Sequence, residues 1–165
     1  MGELAASSAP ADELVSMGLG SCVGVALVDR ERAIAGLAHV MLPEANAAYA
    51  APAKYADRAV PALVAHAERL GARPGQLEAV LAGGAEMFAR SRVAGFALGA
   101  RNEAAIRSAL ADAGIPVRAA ATGGNRGRTV RVLVGEARVT VKEAGGAEVE
   151  LWHAGSAADH PGETR

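Results

Sequence analysis

The sequence predicts an α+β domain of mixed, largely antiparallel β-sheets with two main flanking helices. Three observations carry this expectation. Six or seven short runs have strand character, only two segments show helical periodicity, and their order is not the regular βαβ alternation of a parallel sheet. The chain has 165 residues, of which 51% are hydrophobic but only 3% aromatic. One domain of that length can bury a real core, and this core has to be made of small side chains in close approach.

Residues 1–12 are rich in Ala, Ser and Pro and are expected to be disordered, as is the stretch 154–165, "AGSAADHPGETR". The domain is therefore expected over 13–153, with no linker or repeat inside it. "ELVSM" (13–17), "CVGVALVD" (22–29) and "AIAGLAHVM" (33–41) read as three strands, the last ended by Pro43. "KYADRAVPALVAHAERLG" (54–71) reads as an amphipathic helix with Val60, Leu63, Val64, Ala67 and Leu70 on one face and Gly71 as its cap. Pro61 either kinks that helix or marks its start. "LEAVLAG" (77–83) is a strand running into "GGAEMF". "RNEAAIRSALADAG" (101–114) is a second helix, with Ile106 and Leu110 four residues apart. "PVRAAAT", "TVRVLVG" and "ARVTVKE" supply three more strands, the first two separated by "GGNRGR" (123–128).

Composition excludes several function classes. Seventeen basic residues against eighteen acidic ones leave a net charge of −1, so no global field favours nucleic acid or a membrane surface. Few aromatics are available to stack on bases. No run reaches the length of a membrane span, and "MGELAASSAPADE" lacks the apolar centre of a signal peptide. Gly2 does not sit in a myristoylation pattern, because Ala6 stands where a Ser or Thr is needed. One cysteine excludes an internal disulfide and suits a reducing cytoplasm, where the protein is expected. That cysteine and scattered histidines (His66, His153 and His160 among them) offer no metal cluster, and no cofactor is expected.

The chemistry concentrates in "MGLGSCVGVALVD" (17–29). A dinucleotide cradle would need G-x-G-x-x-G opening a helix; here the third position is Val23, and residues 23–27 alternate like a strand. Two readings of Cys22 remain, a small buried hydrophobe or a nucleophile presented on a turn. A four-residue hairpin loop centred between Arg30 and Glu31 would set Cys22 directly opposite His39, on one face of an antiparallel pair. A histidine there could take the thiol proton and later deliver it to a leaving group. The loose backbone at Gly20 and Ser21 could aim N–H groups at an oxyanion. Asn125, Arg126 and Arg128 in "GGNRGR" are either a solvated turn or a rim contacting a substrate or partner.

These stretches resemble the CheD family of chemoreceptor glutamine deamidases. The resemblance runs through "MGLGSCVGVALVD", "GLAHVMLP" (36–43), "KYADRAVPALVAHAERLGA" (54–72), "AGGAEMF" (82–88), "LGARN" (98–102) and "GGNRGRTVR" (123–131). It implies an α/β sandwich, Cys22 as nucleophile and His39 as general base. A family threonine that assists them corresponds to Ser16. It further implies hydrolysis of receptor glutamine amides to glutamate with release of ammonia, and binding to a CheC-type phosphatase of the response regulator CheY. Two rival functions remain: a non-catalytic regulatory binding module of chemotaxis, and a cysteine hydrolase of other amides.

Overall fold

A computed structural model describes residues 2–45, 51–86 and 97–155. These residues form strands β1 (Leu4–Ser7), β2 (Glu13–Leu19), β3 (Val23–Asp29), β4 (Ile34–Val40), β5 (Leu77–Gly83), β6 (Val117–Thr122), β7 (Arg128–Leu133), β8 (Arg138–Glu143) and β9 (Glu148–His153). Helix α1 spans Ala56–Arg69 and α2 spans Leu98–Asp112. One sheet has the order β1-β4-β3-β5-β6, with only the β5–β6 pair parallel. The other, β2-β7-β8-β9, is antiparallel throughout. The expected α+β class is borne out.

Hydrophobic alternation sorts the layers. Val23, Val25 and Leu27 of β3 join Val60 and Leu63 of α1 and Ile106 and Leu110 of α2 in one core. Ala26 and Val28, pointing the other way, join Leu19, Val130, Val132 and Val139 of the second sheet. Strands β3 and β4 are consequently buried on both faces along their whole length. Small residues make the layers fit. A Cβ on Gly36 would lie 2.8 Å from Leu63 Cδ1, and one on Gly24 would lie 2.9 Å from Val130 Cγ1. Each glycine admits a side chain from a neighbouring layer.

Several expectations are corrected. Residues 4–7 are not disordered: backbone pairing to β4, from Leu4↔Ala38 to Ser7↔Ala35, overrides their weak apolar signal. Strand β9 escapes sequence reading because Glu148 and Glu150 interrupt its apolar residues. Ala154, expected in a disordered tail, donates to the Ala137 carbonyl at 3.1 Å; residues 156–165 lie outside the described residues, as do Met87 and Phe88. Pro61 lies inside α1 and does not start it. The β3–β4 loop does have four residues, but they are 30–33, because Asp29 pairs with Ile34. The Asp29 carboxylate accepts from the backbone N–H groups of Glu31 and Arg32, and Ala33 takes φ 51°. That shift sets Gly24, and not Cys22, opposite His39.

Candidate active site

The three residues expected to carry the chemistry come from three successive segments. Ser16 lies on β2, the edge of the second sheet, where Ser16 pairs with Val130 before an irregularity that ends at Leu19↔Arg128. Gly18, at φ +69°, occupies the left-handed region that favours glycine and turns the chain toward Cys22. His39 lies near the end of β4. Because residue 24 pairs with residue 39, extending the β3 register back beyond Val23 to Cys22 would make Cys22 a diagonal neighbour of His39 on the face between the sheets. Diagonal positions are about 7–8 Å apart, with Cβ atoms somewhat closer. Cys22 packs against the inter-sheet core and is half-buried.

Ser16 and His39 meet directly. Ser16 Oγ and His39 Nδ1 are 3.0 Å apart, and both side chains are buried. His39 Nε2 is buried without a hydrogen-bond partner among the described residues. If Nδ1–H donates to Ser16 Oγ, Nε2 is left with an open lone pair. Burial pushes the imidazole below its ordinary 6.5, with Glu3 opposing, and pushes the Cys22 thiol above its ordinary 9.0. Both shifts favour the uncharged forms, thiol for Cys22 and imidazole for His39. A cavity of about 560 Å³ opens onto Ser16 and His39 between β1 and β2, bordered also by Glu3, Val15 and Met17. Cys22 is not part of its lining.

The segment leading into Cys22 is held by its carbonyls. Gly20 O accepts from Ala85 N at 2.7 Å and Cys22 O from Gly84 N at 2.8 Å. A Cβ on Gly83 would overlap the Cys22 carbonyl, so the close approach requires glycine there. Asn125 and Arg126 are exposed on the turn after β6. Arg128 is corrected from rim to interior: it is buried, donates to Gly83 O at 3.2 Å and Gly123 O at 2.6 Å, and pairs with Glu143 at 2.8 Å. Sequence reasoning also missed Asn102, fully buried on α2, whose Nδ2 donates to Ser21 O and Met41 O, each at 2.9 Å. Its position was legible in principle, as a polar residue four places before Ile106 on an apolar stripe. Among the described residues no three His, Cys, Asp or Glu side chains gather as a metal would need, and no helix is long and apolar enough to cross a membrane.

A family model described as CheD chemotactic sensory transduction matches residues 41–143. The chain belongs to the CheD family. Relatives agree over most of its length. The chemoreceptor glutamine deamidase CheD of Thermotoga maritima is 42% identical over 135 residues, 82% of this chain and 84% of the relative. A protein of Archaeoglobus fulgidus, named probable chemoreceptor glutamine deamidase CheD, is 42% identical over 139 residues, 84% of this chain and 87% of its own. One of the same name from Clostridium botulinum strain Hall is 40% identical over 137 residues, covering 81% and 85%. The CheD resemblance read from the sequence is thereby borne out.

Proposed function

We propose that this protein is a cytoplasmic hydrolase that deamidates glutamine side chains of chemoreceptors, with Cys22 as nucleophile, His39 as proton carrier and Ser16 as its orienter. The observation that carries the reading is the Ser16–His39 hydrogen bond, with Nε2 left unpartnered on the face that Cys22 shares. The names of the CheD relatives supply the substrate class.

An amide is a poor electrophile with a poor leaving group, so the site has to supply a nucleophile, an acid and an oxyanion donor. As Sγ attacks the amide carbon, its proton passes to His39 Nε2. The tetrahedral intermediate collapses when the imidazolium protonates the nitrogen; the C–N bond breaks, ammonia leaves and a thioester remains. Water then loses a proton to His39, attacks the thioester carbonyl and releases glutamate, while the thiol recovers its proton. The Gly20 N–H donates to Gly18 O at 3.0 Å, so the oxyanion donors in this reading are the N–H groups of Ser21 and Cys22, and the exposed Asn125 and Arg126 offer polar contacts to the receptor. Resemblance in sequence also supports a CheC-type phosphatase as a second partner, which co-purification with and without receptor would test.

Incubation with receptor and subsequent peptide mapping tests the reaction. Glutamine-to-glutamate conversion by the parent, lost in Cys22→Ala and reduced by orders of magnitude in His39→Asn with receptor affinity kept, is the expected result. Cleavage of the receptor backbone would make it a protease. Binding without conversion would make it a regulatory module.

A further inference from the structure

We propose that Asn102 is the positioning residue of the site, a clamp that fixes the Cys22 amide and ties the cysteine turn to the His39 strand. This rests on the reading of Cys22 and His39 as the reacting pair. Asn102 lies on the core face of α2, in line with Gly99, Ile106 and Leu110. Gly99 allows the helix to come this close, since a Cβ there would overlap the Gly84 carbonyl. Both acceptors of the Asn102 amide are backbone carbonyls, which can only accept, so its NH₂ group must face them. Both of its N–H bonds are thereby used, one on the residue before Cys22 and one two residues after His39. The amide oxygen stays buried with no partner among the described residues. An orphaned buried acceptor costs stability, so the side chain is poorly explained as a device for stability alone.

Peptide geometry turns this contact into a functional one. Across a trans peptide the carbonyl of one residue points opposite to the N–H of the next, and no cis peptide is present among the described residues. Holding Ser21 O against α2 therefore aims the Cys22 N–H away from the helix. That N–H stands beside the Cys22 sulfur and acts to lower the thiol's pKa, against the larger raising effect of burial. During attack it is a donor close to the developing oxyanion. Gly20 O and Cys22 O are held by backbone groups that no side-chain substitution removes. Among the described residues, Asn102 is the one side chain in the clamp.

The test uses Asn102→Asp, which keeps the shape but as a carboxylate has no donor, beside Asn102→Ala and Cys22→Ala. Receptor deamidation gives kcat and KM; alkylation of Cys22 by iodoacetamide gives thiol reactivity without any receptor; circular dichroism confirms folding. Asn102→Asp is expected to lower kcat at least tenfold with KM within about twofold, and to slow alkylation with its pH midpoint moved upward. Protonating the introduced carboxyl restores one donor, so the ratio of variant to parent rate rises toward acid pH. If Asn102→Asp does not fold, Asn102→Ala meets the same kcat, KM and alkylation criteria. A folded variant with kcat and alkylation within twofold of the parent overturns the proposal, as does a change confined to KM. Persistent conversion by Cys22→Ala would instead overturn the role of Cys22 in the reaction, leaving the alkylation result to judge the clamp.

Discussion

Burial acts in opposite directions on the two proposed reacting groups, raising the Cys22 thiol and lowering the His39 imidazole. Acid converts His39 to imidazolium and removes the base; alkali strips the thiol and leaves no proton for ammonia. The kcat/KM profile should therefore hold a plateau extending below pH 6.5 and above pH 9, and a limb centred within that window would contradict the neutral-pair mechanism. In the proposed mechanism Ser16 acts through its hydrogen bond to His39. A neutral hydrogen bond contributes about 0.5–1.5 kcal/mol, so Ser16→Ala should slow initial deamidation roughly tenfold at most, far less than Cys22→Ala. Ser16→Thr keeps the hydroxyl and should retain the parent rate. The proposed nucleophile, base and orienter are all named by the sequence, the first two from residue chemistry and the third through family resemblance. The position of Asn102 on the apolar stripe could be read there too, but its role could not, because it depends on two carbonyls far away in sequence.

The β3–β4 hairpin shows where element-level reading stops. The expected loop length is correct, but its expected centre lies too early by one residue, and each such step moves cross-strand partners by two. What decides the centre is Asp29, fully buried, which accepts from the amides of Glu31, Arg32 and Arg73 and pairs with the Arg32 guanidinium. Nothing in "DRERA" announces that Ala33 will take a left-handed φ. Asp29→Ala would orphan three amides, each costing about 1–3 kcal/mol when buried. Because these hydrogen bonds are only part-buried, the lower figure applies, about 3 kcal/mol in all; the melting temperature should fall by about 6–12 °C, and a loss of only a degree or two would show that the loop finds other partners. Asp29→Asn, which keeps one acceptor oxygen, should lose about half as much.

Across the whole molecule, apolar runs buried on both faces and two periodic helices are enough to give the class. The two strands that sequence reading overlooks, β1 and β9, are both sheet edges, with one neighbour each and little apolar surface to advertise them. Edges are where a polar, small-residue segment can still pair, because only one side of its backbone has to be matched. The layered order also explains why the proposed site falls between the sheets. Gly24 and Gly36 let each layer settle close to the next, and the Ser16–His39 contact spans that seam.

The position of β1 has a consequence for how the protein should be produced. Glu3, Leu4 and Ala5 border the cavity at Ser16 and His39, whereas β9 lies at the opposite edge of the second sheet from β2. An affinity handle fused ahead of the first residue would leave the chain near the cavity proposed to admit the receptor. One fused after residue 165 follows β9 in sequence, through residues outside the described ones. The amino-terminal fusion should raise KM for receptor severalfold while leaving iodoacetamide access to Cys22 unchanged, and proteolytic removal of the handle should restore KM. Equal kinetics for the two fusions would mean that the receptor approaches from another side.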